Sequence, residues 1–359
     1  MLIGPNASGK SNLIQVFEFI RAAASGRLRD FVDREGGMGR LVWDGQDDHI
    51  SLRLTTTTTE DGEDRLIYGL QLNRLGASGY TIVLEGLWNG VQASFLERDD
   101  NSAVIYSDDL EGIGQAVDSL DDEETLLSVA GGPLASNRLV AEFQKHLLEW
   151  TLHHDFTTHR DSPVRQPVIT RFDTRLADNG HNLISFLHTV YSSNRQFKRE
   201  LDLAMRAAFD EQFDELVFPP ASDQRVQLRV RWKGLSYEQS TADLSDGTLR
   251  FLFLLAILGN PSPPALIAIE EPETGLHPAM LPIVAEYAVE AAQRSQILLT
   301  THSPAFLDAF GREVPTTTVV EWRDGESHLK VPDRATLDHW LSSYSLGEMF
   351  LANDLEAIA

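Results

Sequence analysis

The sequence has no cysteine, which excludes disulfides, thiolate metal sites and a cysteine nucleophile. It is short of positive charge: 30 Lys and Arg stand against 54 Asp and Glu, a formal net charge of −24. So acidic a surface repels phosphate backbones, and non-specific nucleic-acid binding is disfavoured unless the few cations cluster. No apolar run has the length needed to span a bilayer. The opening Met1-Leu2-Ile3-Gly4 carries neither the basic leader nor the apolar core of a signal peptide. With 42% hydrophobic and 23% charged residues, the 359-residue chain reads as soluble, globular and cytoplasmic, with one large or two ordinary domains. Internal repeats are absent, and low complexity is confined to the threonine run at 55–59, an ordinary strand end.

What is there is a change of period along the chain. Gly4-Pro5-Asn6-Ala7-Ser8-Gly9-Lys10-Ser11 matches G-x-x-x-x-G-K-[ST] in full. Directly after it, Leu13, Phe17, Ile20 and Ala24 fall on one helix face. Alternation follows at Ile50, Leu52 and Leu54, at Leu66, Tyr68, Leu70 and Leu72, and at Tyr80, Ile82 and Leu84. Glu60-Asp61-Gly62 and Gly76-Ala77-Ser78-Gly79 separate these runs, which predicts an antiparallel lobe of three strands. From 97 to 214 acidic linkers such as Asp121-Asp122-Glu123-Glu124 alternate with helical stretches. One covers 141–152; one or two more cover 184–213, where Leu201, Met205 and Phe209 recur at spacing four. Alternation returns at Val226, Leu228, Val230 and Trp232, whose opposite face holds Arg225, Arg229, Arg231 and Lys233. A second core segment runs from 243 to 320.

Chemistry concentrates in four segments. In the first, glycines let the backbone curl round a β-phosphate, Lys10 reaches the β- and γ-phosphates, and the Ser11 hydroxyl coordinates Mg²⁺. The helix that follows aims its positive end at the same anion, so the candidate ATP-binding set is Gly4, Asn6, Ala7, Ser8, Gly9, Lys10, Ser11 and Asn12. In the second, Ala-Leu-Ile-Ala-Ile-Glu-Glu-Pro-Glu at 265–273 is a buried parallel strand. It ends in two carboxylates at the edge where open α/β sheets bind ligands. Glu270 is expected to hold Mg²⁺, directly or through water, and Glu271 to polarise the attacking water.

In the third, Leu244-Ser245-Asp246-Gly247-Thr248 precedes an apolar helix at 249–258, closed by Gly259-Asn260-Pro261. Ser245 is an N-cap, and its hydroxyl with the neighbouring N–H groups also suits a γ-phosphate. A chain that already has a phosphate loop would offer this second helix end to ATP held by another subunit. In the fourth, the buried strand Ile297-Leu298-Leu299 leads into Thr300-Thr301-His302-Ser303-Pro304. His302, one strand beyond the carboxylates, is placed to bond the γ-phosphate or the attacking water.

The order of these segments resembles the ABC-type ATPases of the SMC and recombination class. It is most similar to the stand-alone AAA family ATPases related to the OLD (overcoming lysogenization defect) proteins. That resemblance implies an α/β fold, a P-loop NTPase head of ABC type with an antiparallel β lobe and a helical insert. It makes residues 4–11 the Walker A loop, Ser245, Asp246, Gly247 and Thr248 a signature acting in trans, and Glu270 and Glu271 the Walker B and catalytic acids. Thr274, Gly275, Leu276 and His277 match the D-loop that crosses a dimer seam, and His302 is the switch histidine. It further implies ATP and Mg²⁺ as cofactors, ATP hydrolysis and an ATP-dependent head-to-tail homodimer. Phage defence and DNA metabolism are settings in which such heads control an effector, expected here as a separate chain.

Three departures stand beside the match. The family has Asp or Glu where this chain has Glu270. Its Q-loop glutamine has no clear counterpart; Gln46 and Gln166 are the candidates. Only three residues precede Gly4, so the first strand is expected to leave the sheet short of a partner, as in a truncated chain or one started too far downstream. No heptad is sustained through the middle, which is therefore expected to be a compact lobe. The roughly 40 residues beyond Thr318 are too few for the TOPRIM nuclease that OLD proteins carry. The expected division is 1–96 (first half of the head), 97–215 (helical insert), 216–330 (second half) and 331–359 (tail). A DNA-binding repair ATPase gripping phosphates through Arg225, Arg229, Arg231 and Lys233 is the alternative. A pseudo-ATPase is weakened by Lys10, Glu271 and His302 together, and a transporter ATPase would carry LSGGQ and a shorter insert.

Overall fold

The computed structural model describes residues 1–355 apart from 44–46, 58–64, 91–93, 100–101, 108–113, 118–119 and 132–136. Gln46, the turn expected at Glu60-Asp61-Gly62 and the end of the threonine run lie outside the described residues. The contacts divide the chain into two compact units, Met1–Ile14 with Thr151–Ala359, and Gln15–Trp150. The first cut falls inside the helix Lys10–Ala24.

The first unit is built on a sheet in the order Glu326–Lys330, Thr318–Arg323, Leu2–Ile3, Gln296–Thr301, Leu266–Glu270, Thr151–His153. The last five run parallel, and Glu326–Lys330 closes the edge antiparallel. Leu2–Ile3 is only two residues long, yet Leu2 pairs with both Thr300 and Thr318 and Ile3 is fully buried. The strand expected to leave the sheet short of a partner is therefore paired on both sides, because both neighbours run past it.

The helix Asp246–Leu258 is buried at every position from Thr248 onward except Arg250. Its all-round apolar sequence is what burial on every side requires. Ser245 caps it by accepting the Thr248 N–H at 3.1 Å. The stretch 184–213 resolves into two helices, Leu183–Ser193 and Arg195–Ala208. Asn194 separates them, its side chain accepting the N–H groups of Gln196 and Phe197. Leu183, Phe186, Leu187, Leu201 and Met205 of this pair join Phe251, Leu252 and Leu255 in one core.

Two expectations are corrected here. The helix read over 141–152 is Arg138–Leu148, and Thr151–His153 is instead the edge strand of the parallel sheet; three residues are too few to carry a period. The alternating stretch from 226 to 232 is split between Arg225–Val226 and Arg229–Trp232, which belong to different three-stranded sheets, although Val226, Leu228 and Val230 are all buried.

The second unit is a six-stranded antiparallel sheet whose spatial order follows the sequence: His49–Thr57, Arg65–Leu75, Gly79–Asn89, Ser94–Arg98, Ala103–Tyr106 and Gly114–Ala116. The meander read as three strands thus continues past residue 97. One face buries Tyr68, Leu70, Leu72, Tyr80, Ile82, Leu87 and Leu96, with Tyr68 against Phe143 of Arg138–Leu148. Glu85 is buried among them. It accepts the Leu126 and Leu127 N–H groups at 2.6 and 2.9 Å and the Tyr68 hydroxyl at 2.9 Å. The two N–H groups are orphan donors at the start of the helix Leu126–Ala130. Burial pushes the Glu85 carboxyl above its usual range, against the pull of these bonds.

Glu85→Ala strands three buried donors and should cost about 3 kcal/mol in urea unfolding. Glu85→Gln, which keeps an acceptor in place, should cost clearly less. Equal losses would mean that the carboxamide oxygen cannot replace the carboxylate as a cap.

Candidate functional site

The four motif segments all belong to the first unit. Leu2–Ile3 delivers the chain to the carboxyl edge of the sheet, and the Gly4 to Gly9 turn then leads into the helix Lys10–Ala24. Gly9 has φ +98°, and a Cβ there would lie 2.0 Å from the Ser327 hydroxyl, so glycine is required. Ser327, on the antiparallel edge strand, donates to the Ser8 carbonyl at 2.9 Å and braces the loop. Inside it the buried Lys10 ammonium donates to the carbonyls of Gly4 and Pro5 at 2.7 and 2.8 Å. Burial lowers its pKa, and the charges of Glu271, Glu270 and Glu273 oppose that shift. Asn6, Ala7 and Asn12 are exposed.

The Ser11 hydroxyl donates to Glu270 Oε1. Glu270 ends the strand Leu266–Glu270, opposite Thr300. Its other oxygen lies 3.1 Å from His154 Nδ1, and His154 directly follows the edge strand Thr151–His153. The His154 bond, with help from Ser11 and Lys10, holds the Glu270 carboxyl below the usual range despite its partial burial.

Glu271 turns away with φ +44°. Its N–H is shared between the Thr300 carbonyl and hydroxyl at 3.1 and 3.2 Å. Its Oε1 lies 2.8 Å from His302 Nδ1, and Oε2 accepts from the Thr274 hydroxyl at 3.3 Å. Glu273 accepts from the Thr301 hydroxyl, and burial raises its pKa.

The structure thus brings Lys10, Ser11, Glu270, Glu271 and His302 to one edge. The Ser245 turn is elsewhere: none of the described hydrogen bonds joins Ser245 to residues 4–12. There Asp246 pairs with Arg165 at 2.5 Å. The buried Arg165 also donates to the carbonyls of Thr158, Thr241 and Leu244 at 2.6, 2.7 and 2.8 Å. Gly247 lies against Gly275, and His277 accepts the Ala279 N–H at the start of Pro278–Met280. Gln166 follows Arg165 and lines a groove with Asp161, Arg171 and Arg225.

Sequence reasoning missed His154, Ser327 and Arg165. Their contacts span 116, 319 and 81 residues, so no local spacing announces them.

No three His, Asp or Glu side chains among the described residues cluster to hold a metal unaided. Ser11 and Glu270 offer two hard oxygens, which fits Mg²⁺, a cation that draws most of its remaining ligands from phosphates and water. Lys10, whose partners here are neutral carbonyls of its own loop, fits a phosphate as the better acceptor.

A phosphate-type loop entering a helix, beside paired carboxylates on the carboxyl edge of a largely parallel sheet, defines a P-loop ATPase head of the ABC type. Residues 1–308 match the family described as "AAA domain, putative AbiEii toxin, Type IV TA system", and the chain belongs to that family. The structure is similar to an SMC head bound to the C-winged helix domain of ScpA, over 94% of this chain and 91% of that one, at 13% identity and TM-score 0.53. An Smc head with an extended coiled coil from Pyrococcus furiosus, bound to the C-terminal domain of ScpA, aligns over 95% and 92% at 11% identity and TM-score 0.49. At such identities the first likeness is one of fold, and the second carries no weight. No curated protein matches the sequence. Among the described residues no helix is long and apolar enough to cross a membrane.

Because the folded pKa of Glu270 is depressed, its contribution to stability is present above its unfolded pKa and is lost as pH falls through the folded value. His154→Ala removes the first cause of that depression. In carboxyl carbon NMR, Glu270 should then titrate at higher pH, and acid unfolding should begin earlier. An unmoved Glu270 titration would show that the imidazole does not hold it.

Proposed function

We propose that this chain binds and hydrolyses MgATP as an ATP-gated dimerising switch, controlling a separate protein effector in phage defence or DNA metabolism. The observation that carries the proposal is the meeting of Ser11 with Glu270 beside Lys10, with the Glu271 and His302 pair next to it. On this reading Lys10 gives up two loop carbonyls for β- and γ-phosphate oxygens. Ser11 and Glu270 would hold Mg²⁺, which when bound neutralises charge on those oxygens. Glu271, steadied by His302 and Thr274, would orient the attacking water, with His302 at the γ-phosphate.

Two helix ends in the chain suit phosphate, the one at Lys10 and the one capped by Ser245. One ATP has a single γ-phosphate. Head-to-tail pairing places Lys10 of one subunit and Ser245 of the other around each ATP, and two-fold symmetry makes two such sites from one interface. The DNA-binding alternative needs an open basic face. Arg231 is paired with Glu215 and Glu238, Lys233 with Glu211, and Arg225 stands on another sheet. It therefore stays second.

Glu271→Gln should keep ATP binding and slow hydrolysis by roughly 10²–10⁴-fold, whereas Glu270→Gln should weaken Mg²⁺-dependent binding. Exchange of the two phenotypes in binding and turnover assays would overturn the assigned roles.

The shared site has its own test. Lys10→Ala and Ser245→Arg should each abolish turnover. In a mixed dimer one site carries both lesions and the other neither, so mixing should restore part of it. If variants shown to be folded and to form mixed dimers restore nothing, the shared-site model fails.

A further inference from the structure

Arg250 is the exception in the otherwise buried run from Thr248 to the end of its helix, and nothing in the proposed chemistry uses it. Its Nη2 donates to the Glu271 carbonyl at 2.9 Å. The guanidinium also sits in the field of Glu273, Asp155 and Glu271, while burial lowers its pKa. The recipient is unusual. Glu271 is a non-glycine residue in the left-handed region, a conformation that persists only where its surroundings over-determine it. Thr300 holds its N–H, and Arg250 holds its carbonyl.

The same helix touches the segment after Glu271 a second time. At Gly247, one turn before Arg250, a Cβ would stand 2.7 Å from the Gly275 carbonyl, so backbone meets backbone there. The start of the helix therefore grips the chain at 271 and at 275. A close-packed helix moves as a body rather than residue by residue, so displacement at Ser245 carries Arg250 with it.

We propose that Arg250 is a positioning residue through which the helix headed by Ser245 orients Glu271 of the same chain. Resting on the reading of Glu271 as the water-orienting acid, this means that the helix fixes the acid in the chain's own site whether or not Ser245 holds the partner subunit's ATP.

Arg250→Gln should retain ATP affinity and ATP-driven dimerisation within about twofold. It should lower kcat by roughly 10²-fold, the loss that a small misplacement of a catalytic group brings, with KM little changed. Arg250→Lys, which keeps a cationic donor, should recover part of that loss. Placement in the mixed dimer separates positioning from general damage. Added to the Ser245→Arg chain, whose Glu271 serves the intact site, Arg250→Gln should remove the recovered turnover. Added to the Lys10→Ala chain, which has no live acid to orient, it should not. A kcat within twofold of the parent, or equal loss in both placements, overturns the proposal. If the parental mixture recovers nothing, the shared-site reading falls, and the homodimer kcat still decides whether Arg250 positions Glu271.

Discussion

The strand Leu266–Glu270 has to end where it does, and most of the first unit follows from that. Its apolar residues are buried, and parallel neighbours hydrogen-bond it on both sides. The first residues free to carry charge are therefore the two carboxylates that follow. One neighbour brings His154 to Glu270, the other brings Thr300, Thr301 and His302 to Glu271 and Glu273. Slipping the register by one residue would turn every side chain of the strand to the opposite face, and Ser11 would lose its partner.

What the sequence disclosed was whatever carries its own punctuation. The phosphate loop, the capped helix Asp246–Leu258 and the strand before Glu270 each have a start, a stop and a composition that only one environment suits. Thr151–His153 has none of these: three residues following a helix look like that helix's last turn. Misreading it hid His154, because a residue can be assigned to the sheet edge only after its strand is found. The residue that follows this strand is a histidine touching Glu270. The strands after residue 97 were hidden in the same way by shortness, Ala103–Tyr106 and Gly114–Ala116 having four and three residues.

The scarcity of cations acquires a use once the structure is seen. Arg165 and Arg98 are buried and satisfied largely by backbone carbonyls, Arg165 fixing the approach to Ser245 and Arg98 the chain at Asp121 and Glu124. A planar guanidinium with five donors suits that task, since it can tie several carbonyls that no helix or sheet satisfies. Such arginines carry positive charge that the outer surface does not display, so the acidity of the surface is no guide to the interior.

Around the single ammonium of Lys10 stand Glu270, Glu271 and Glu273, an excess of negative charge that a free triphosphate would have to enter. Two features reduce the opposition. Burial raises the pKa of Glu273, which favours its neutral form, and Glu270 is already committed to Ser11 and His154. Glu271 lies against His302 and Thr274. Glu270, which touches Ser11, is on the proposed reading the carboxylate placed to share a divalent cation with a phosphate. On the proposed reading the metal is therefore required electrostatically before it is required chemically: without it, nucleotide and Glu270 repel each other across the Ser11 hydroxyl.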